Sequence, residues 1–265
     1  MPGGTLAYDV AGKGAPILFV HSVIADRRMW DREVAAFAPE HLVIRYDLRG
    51  FGGSAPATGP YSLVGDVESV LAHVGVDRAF VVGSSMGGAI AVDFALAHPE
   101  QVTGLLLAAP GLSGGIQAPY TPEEQASFER DEQISKATAE AWQKGDRTRA
   151  FDLLRELWCP ALEGEALRRW KEMVDANATE VFTNRSEMQA EARPAAEPRL
   201  PRLTVPTTLL IGHRDNPASI FFARRIAGAV PGGRLTEIPA ADHLINLSTP
   251  EAFATALRSA LASVR

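Results

Sequence analysis

The stretch Ala79-Phe-Val-Val-Gly83-Ser-Ser85-Met-Gly87-Gly88-Ala-Ile-Ala-Val-Asp-Phe-Ala-Leu96 changes its hydrophobic period in the middle. Its first part is a short apolar run of the kind found in strands covered on both faces, and its last part has helical spacing. Between them stands Gly83-Ser-Ser85-Met-Gly87, with a glycine two positions either side of Ser85. Small residues at those places permit a strand-to-helix turn too sharp for larger side chains. The turn pushes the central hydroxyl into the open, and the helix N-terminus behind it favours developing negative charge. Ser85 is therefore the candidate nucleophile. A second copy of the pattern, Gly111-Leu-Ser113-Gly-Gly115, leads into Ile116-Gln-Ala-Pro-Tyr-Thr-Pro122, which does not open a helix. Ser113 reads as part of a glycine-rich exit loop.

Outward from this stretch the same alternation repeats. Strand-like runs occupy 16–20, 42–46, 79–83, 102–108, 207–211 and 234–238, and helical spacing occupies 26–37, 62–74, 86–97, 217–230 and 250–264. Alternation of this kind is the signature of an α/β protein, a mostly parallel sheet flanked by helices. The period-two placing of Leu6, Tyr8 and Val10 adds one antiparallel strand ahead of the parallel set. The rhythm breaks between Leu112 and Arg202, where the chain turns helical, polar and rich in Glu, Arg and Ala. Residues 1–111 and 203–265 are thus expected to form the core, and residues 112–202 a helical cap insertion over the carboxyl ends of the strands. Within the cap, Phe151, Leu154 and Trp158 share a helical face that Cys159-Pro160 ends, and Arg193 to Pro201 reads as an extended connector. The cap aromatics Phe128, Trp142, Trp158, Trp170 and Phe182 are expected mostly in its core.

Composition narrows the function classes. At 265 residues, 46% hydrophobic and 22% charged, the chain suits one main core and excludes disordered and fibrous classes. Lys and Arg number 26 against 32 Asp and Glu, a net charge of −6, so no overall positive field exists to hold nucleic acid or an anionic membrane. One cysteine, Cys159, forms no internal disulfide and reads as a small buried hydrophobe, and no two of the six histidines stand at the i, i+4 zinc spacing. No metal site is expected. No apolar run approaches the roughly 20 residues of a membrane span, and Met1 to Asp9 lacks the basic and apolar regions of a signal peptide. A cytoplasmic location is expected; oligomeric state is not legible.

A serine hydroxyl needs a base within hydrogen-bond reach, and that base needs an acid to hold its tautomer. His243, in the loop after the last strand-like run, is the candidate base; the alternative is a surface histidine beside Asp242. Asp215, in Gly212-His-Arg-Asp215 after the run 207–211, is the candidate acid; the alternative is a surface ion pair with His213 or Arg214. The end of the preceding strand, Ala109-Pro110-Gly111, holds no carboxylate. His41 and His73 read as surface positions, and His98 as a helix-end residue.

Ser85, Asp215 and His243 in this order resemble the triad of the α/β-hydrolase superfamily. The likeness extends to His21-Ser22 with a later Trp30, to Asp47-Leu-Arg-Gly-Phe-Gly-Gly-Ser54, and to Ala97-His-Pro-Glu-Gln-Val102. It implies the α/β-hydrolase fold and an oxyanion hole of the Val23 and Met86 amides, with no cofactor. Asp47 to Ser54 reads as a brace near the site, and its loose dinucleotide-like glycine pattern opens no helix. Ser22 replaces the family's usual glycine and is a possible substrate contact through its hydroxyl. His-Ser here, followed by Met-Trp-Asp and Tyr-Asp-Leu-Arg-Gly, is similar to the 3-oxoadipate enol-lactonase group.

The resemblance implies a serine hydrolase cleaving a small carboxylic ester or lactone through an acyl-enzyme. Compact substrates are expected ahead of long-chain lipid esters, because the cap covers the strand ends. A carbon–carbon bond hydrolase with the same triad is one alternative, and a small-molecule receptor built on the fold is the other. Dehalogenase and epoxide hydrolase chemistry is disfavoured, since those enzymes place a carboxylate where Ser85 stands.

Overall fold

A computed structural model describes residues 4–117, 120–183, 190–191 and 193–264. Its seven strands are β1 (Tyr8–Ala11), β2 (Ala15–Val20), β3 (His41–Tyr46), β4 (Ala79–Ser84), β5 (Val102–Ala108), β6 (Thr207–Gly212) and β7 (Arg234–Ile238). They form one sheet in the order β1-β3-β2-β4-β5-β6-β7. All neighbours are parallel except β1, which runs antiparallel to β3 with Tyr8 opposite Tyr46.

The continuous apolar runs have a direct cause. In β2, Leu18 and Val20 join one core cluster while Ile17 and Phe19 join the other, and all four are fully buried. Helices α2 (Leu63–Val74) and α3 (Met86–Ala97) pack on the first face. Helix α1 (Asp31–Phe37) covers the second through Phe37. A fully buried Leu, Ile or Phe contributes about 1.5–3 kcal/mol, so a strand covered on both faces has no room for alternating polar residues.

Element ends follow local chemistry. The Ser62 side chain accepts from Gly65 N–H to start α2, and Gly75 closes it in the left-handed conformation at φ 77°. The expected helix from Asp26 divides: Asp26 caps a 3₁₀ turn over Arg27–Trp30, and α1 follows. His41, expected at the surface, is buried at the start of β3, where its Nδ1 lies 3.2 Å from Ala15 O. Phe37 covers it.

Between β5 and β6 lies the helical insertion: α4 (Pro122–Gln143), α5 (Arg147–Trp158), α6 (Gly164–Ala176) and α7 (Ala178–Thr183). Thr121 and Glu124 form a capping box at the start of α4. Of the exit segment 116–122, Ala118 and Pro119 lie outside the described residues. The connector is extended only at its beginning, because Glu197–Arg202 winds into a 3₁₀ turn that buries Leu200.

After β6, helix α8 (Pro217–Ala229) returns to the α2 and α3 face, adding Ile226 to its core. Helix α9 (Ile245–Ser248) and helix α10 (Pro250–Ala262) complete the chain, and α10 buries Phe253 and Leu257 on the α1 face. The insertion is fastened to the core at separate points. Glu124 pairs with Arg225 of α8 at 2.6 Å. Asn177 Nδ2 donates to Asp26 at 2.7 Å, while its Oδ1 accepts from Gly52 N–H at 2.6 Å. Arg193 and Arg199 both reach Asp93 of α3, at 3.0 and 2.9 Å.

Candidate active site

The carboxyl ends of β4, β5, β6 and β7 open on one edge of the sheet, the place where open α/β sheets gather ligand-binding loops. Ser85 follows β4 directly, at φ 52° and ψ −116°, a conformation that costs a non-glycine residue on the order of 1–3 kcal/mol. Hydrogen bonds hold it there. Its N–H donates to Ala108 O at 3.0 Å, and its carbonyl accepts from Gly88, Gly111 and Ala89 at 2.9, 2.8 and 3.2 Å. The flanking glycines are a steric requirement: a Cβ on Gly83 would overlap the Gly87 carbonyl, and one on Gly87 would overlap the Val20 carbonyl.

The β7–α9 loop brings His243 to the same edge, where its Nδ1 lies 2.9 Å from Asp215 Oδ2. Both side chains are buried. The other Asp215 oxygen accepts from Asn216 N–H at 2.8 Å, so each carboxylate oxygen has a partner. His213 instead pairs with Glu237 at 2.8 Å, which leaves Asp215 to His243. Asp242 is buried too, and burial raises its pKa. Its carboxylate accepts from Ala161 N–H of the insertion at 3.0 Å and from Leu244 N–H at 3.1 Å.

Ser85 and His243 together line two adjoining spaces beneath the insertion. The first, about 340 Å³, is walled by Val23, Ile24, Thr138, Leu154, Val181 and Phe182. The second, about 280 Å³, is walled by Ala109, Phe128, Asp131, Glu132, Asn216 and Phe222. Ser135 and Trp158 border both. Trp158, an insertion residue expected in the core, touches the histidine twice: its carbonyl accepts from His243 N–H at 3.2 Å, and its ring lies 4.4 Å from the imidazole. Phe128 and Phe182 likewise face the cavity, whereas Trp170 is core and Trp142 stacks on Phe182 at 4.4 Å. No periodicity distinguishes these positions, because a helix packed on a core and a helix packed on a cavity present the same apolar face.

Val23 borders the first space, and Met86 begins α3 directly after Ser85. Among the described residues neither amide donates to a main-chain acceptor. The loop carrying Val23 is braced by His21. Leu48 N–H donates to His21 Nε2 at 2.9 Å, so the ring proton sits on Nδ1, which donates to Ser22 O at 2.8 Å. Burial holds the His21 pKa below its ordinary value, in keeping with a neutral ring. Ser22 itself is fully buried, and its Oγ accepts from Ile24 N–H at 3.4 Å inside the same turn. Asp47 sits beneath, accepting from Arg27 and from Gly53 N–H, and Arg49 pairs with Asp66 at 2.6 Å. Ser113 Oγ donates to Asp93, away from the cavity.

Asp131 of α4 was not legible as a site residue, since it stands in the acidic and basic run Glu129-Arg-Asp-Glu132. Burial pushes its carboxyl up to about 6, and the Asp215 charge adds to the shift. Among the described residues no three His, Cys, Asp or Glu side chains cluster as metal ligands, and no helix is long and apolar enough to cross a membrane.

Known proteins share this fold at a distance. The chain is 25% identical to 3-oxoadipate enol-lactonase 2 of Acinetobacter baylyi over 250 residues, 92% of this chain and 88% of that one. A thermophilic esterase from Thermogutta terrifontis superposes with a TM-score of 0.77 at 27% identity, covering 98% of this chain and 93% of the esterase. An N-acyl homoserine lactone-degrading enzyme superposes at 0.64, also with 27% identity and 96% of each chain covered. Residues 17–256 match the alpha/beta hydrolase family, and the chain belongs to it.

Proposed function

We propose that this protein is a serine hydrolase that cleaves a small carboxylic ester or lactone through an acyl-enzyme. One observation carries the reading. Ser85, held at positive φ at the apex of the strand-to-helix turn, shares a cavity with His243, whose Nδ1 is hydrogen-bonded to Asp215. In the proposed reaction Ser85 Oγ attacks the carbonyl carbon while His243 Nε2 takes the hydroxyl proton. Asp215 accepts the Nδ1–H bond, fixing the tautomer and favouring the imidazolium. The Val23 and Met86 amides meet the oxyanion, at roughly 2.7–4 kcal/mol each. His243 then gives its proton to the leaving oxygen, which departs with an alcohol or stays tethered in an opened lactone. Water then attacks the acyl carbon as the same histidine takes its proton, the bond from that carbon to Ser85 Oγ breaks, and the proton passes to Ser85 Oγ as the acid leaves.

Ester and lactone are named together because the similar proteins include an esterase and lactone-cleaving enzymes. Two spaces of about 340 and 280 Å³ suit compact substrates better than long acyl chains. Ser22, a possible substrate contact by sequence, is fully buried and lines neither space, and its proposed role is to shape the oxyanion loop. The test is steady-state turnover of p-nitrophenyl acetate, p-nitrophenyl palmitate and a five-membered lactone by the wild type, Ser85→Ala and His243→Ala. Turnover of the acetate or lactone is expected to fall about 10⁴-fold or more in either variant, and the palmitate to be the poorest substrate. Either variant retaining a tenth of wild-type kcat would overturn the assignment.

A further inference from the structure

The two spaces beside Ser85 differ in charge. Around the first, the lining is neutral apart from His243. The second contains Asp131, whose carboxyl is half-buried in the cavity wall and, among the described residues, has neither a hydrogen bond nor an ion pair. Glu132, its neighbour in the wall, pairs with Lys136 at 2.7 Å on the exposed side of the helix. No lysine or arginine lines either space among the described residues. Asp131 and Asn216 also border a further hollow, of about 150 Å³, which Arg130 and Arg214 line together with Asp215.

The same wall holds a second polar residue. Asn216 is more than nine-tenths buried, and its Oδ1 accepts from Ser219 N–H at 2.8 Å as the cap of α8. Its Nδ2 has no acceptor among the described residues. A hydrocarbon chain in this space would leave the Asp131 carboxylate without a partner. Phe128 and Phe222 complete the wall with ring surface, which attracts cations as well as apolar groups.

We infer that the second space selects the charge of the substrate: it takes a portion bearing a cationic nitrogen against Asp131 and turns away carboxylates. The inference rests on the serine hydrolase reading and adds the substrate class to it. A pKa of about 6 leaves Asp131 ionised at pH 7.5, so its charge is present under ordinary assay conditions. The other titratable groups close to it are Glu132 beside it in the wall, Asp215, His243 and Arg130. Asp215 is hydrogen-bonded to His243, and Arg130 and Arg214 line the further hollow but not the second space.

The experiment compares three acetates of similar size at pH 7.5: 2-(trimethylammonio)ethyl acetate, its neutral isostere 3,3-dimethylbutyl acetate, and 3-acetoxypropanoate. The quaternary nitrogen cannot capture the acyl group, so the ester stays intact during the assay. Wild-type kcat/KM is expected to be about tenfold higher for the cation than for the isostere, and about tenfold lower for the anion, as one charge at short range implies. Asp131→Asn should bring the cation-to-isostere ratio close to one, and Asp131→Lys should invert the order of cation and anion. Ratios within one variant cancel any change in folded fraction. A wild-type cation-to-isostere ratio near one, or a ratio unaltered by both substitutions, would overturn the inference. If the neutral ester were not cleaved in a Ser85-dependent way, the underlying hydrolase reading would fail instead.

Discussion

At the scale of single residues the account turns on hydrogen bonds that leave each group one job. Asp215 holds His243 by one oxygen and Asn216 N–H by the other, so replacing it by Asn keeps the shape but presents the wrong partner to Nδ1. Asp215→Asn is expected to lower kcat about 10³- to 10⁴-fold with an unchanged melting temperature within a few degrees, measured on p-nitrophenyl acetate and by calorimetry. Gly87→Ala acts differently, because its Cβ would overlap the Val20 carbonyl and force the turn open. That variant should lose stability by a few kcal/mol as well as activity, and denaturant titration separates the two cases. That Ser85 and His243 come to one edge of the sheet was legible in sequence, because a strand-to-helix turn and a loop after the last strand leave a mark in the period of the chain. Asp131 and Trp158 were not, because a charged residue on a polar helix and an aromatic on an amphipathic one look alike whether they face solvent, core or cavity.

Elements show where pattern is sufficient and where packing overrides it. Helix α3 was readable to its end residues, since the glycine turn fixes its start and His98-Pro99 stops it. The helix after Asp26 was not, because the 3₁₀ turn arises from Asp26 capping Arg28 N–H, and the charged residues inside it carry no distinct spacing. Helix α1 also holds Glu33, which is 2% exposed and which burial pushes up to about 7 from 4.5. A raised carboxyl pKa means that the folded state binds a proton more tightly than the unfolded one. Glu33 therefore costs stability as pH rises from about 4.5 to about 7, up to about 3 kcal/mol, and costs nothing extra below 4.5. Glu33→Gln should match the wild type near pH 4.5 and exceed it in melting temperature at pH 8. Parallel curves for the two proteins between pH 5 and 8 would contradict the buried, titrating carboxyl.

Across the whole molecule, the α/β core and the helical insertion were legible because the strand–helix rhythm stops at Leu112 and resumes after Arg202. How the insertion is fastened was not, since its ties pair residues far apart in the chain. Asn177 joins Asp26 and Gly52, and Trp158 O meets His243 N–H. Asn177→Ala is expected to destabilise by about 1–3 kcal/mol and to speed amide exchange in α7, whose Val181 and Phe182 wall the first space. In the proposed function the whole scaffold serves to present one activated serine. Mass spectrometry after treatment with a fluorophosphonate tests it most directly. One covalent adduct per chain is predicted, mapped to Ser85, absent from Ser85→Ala and formed far more slowly in His243→Ala; an adduct on Ser113, or none on a protein that still cleaves esters, would contradict the account.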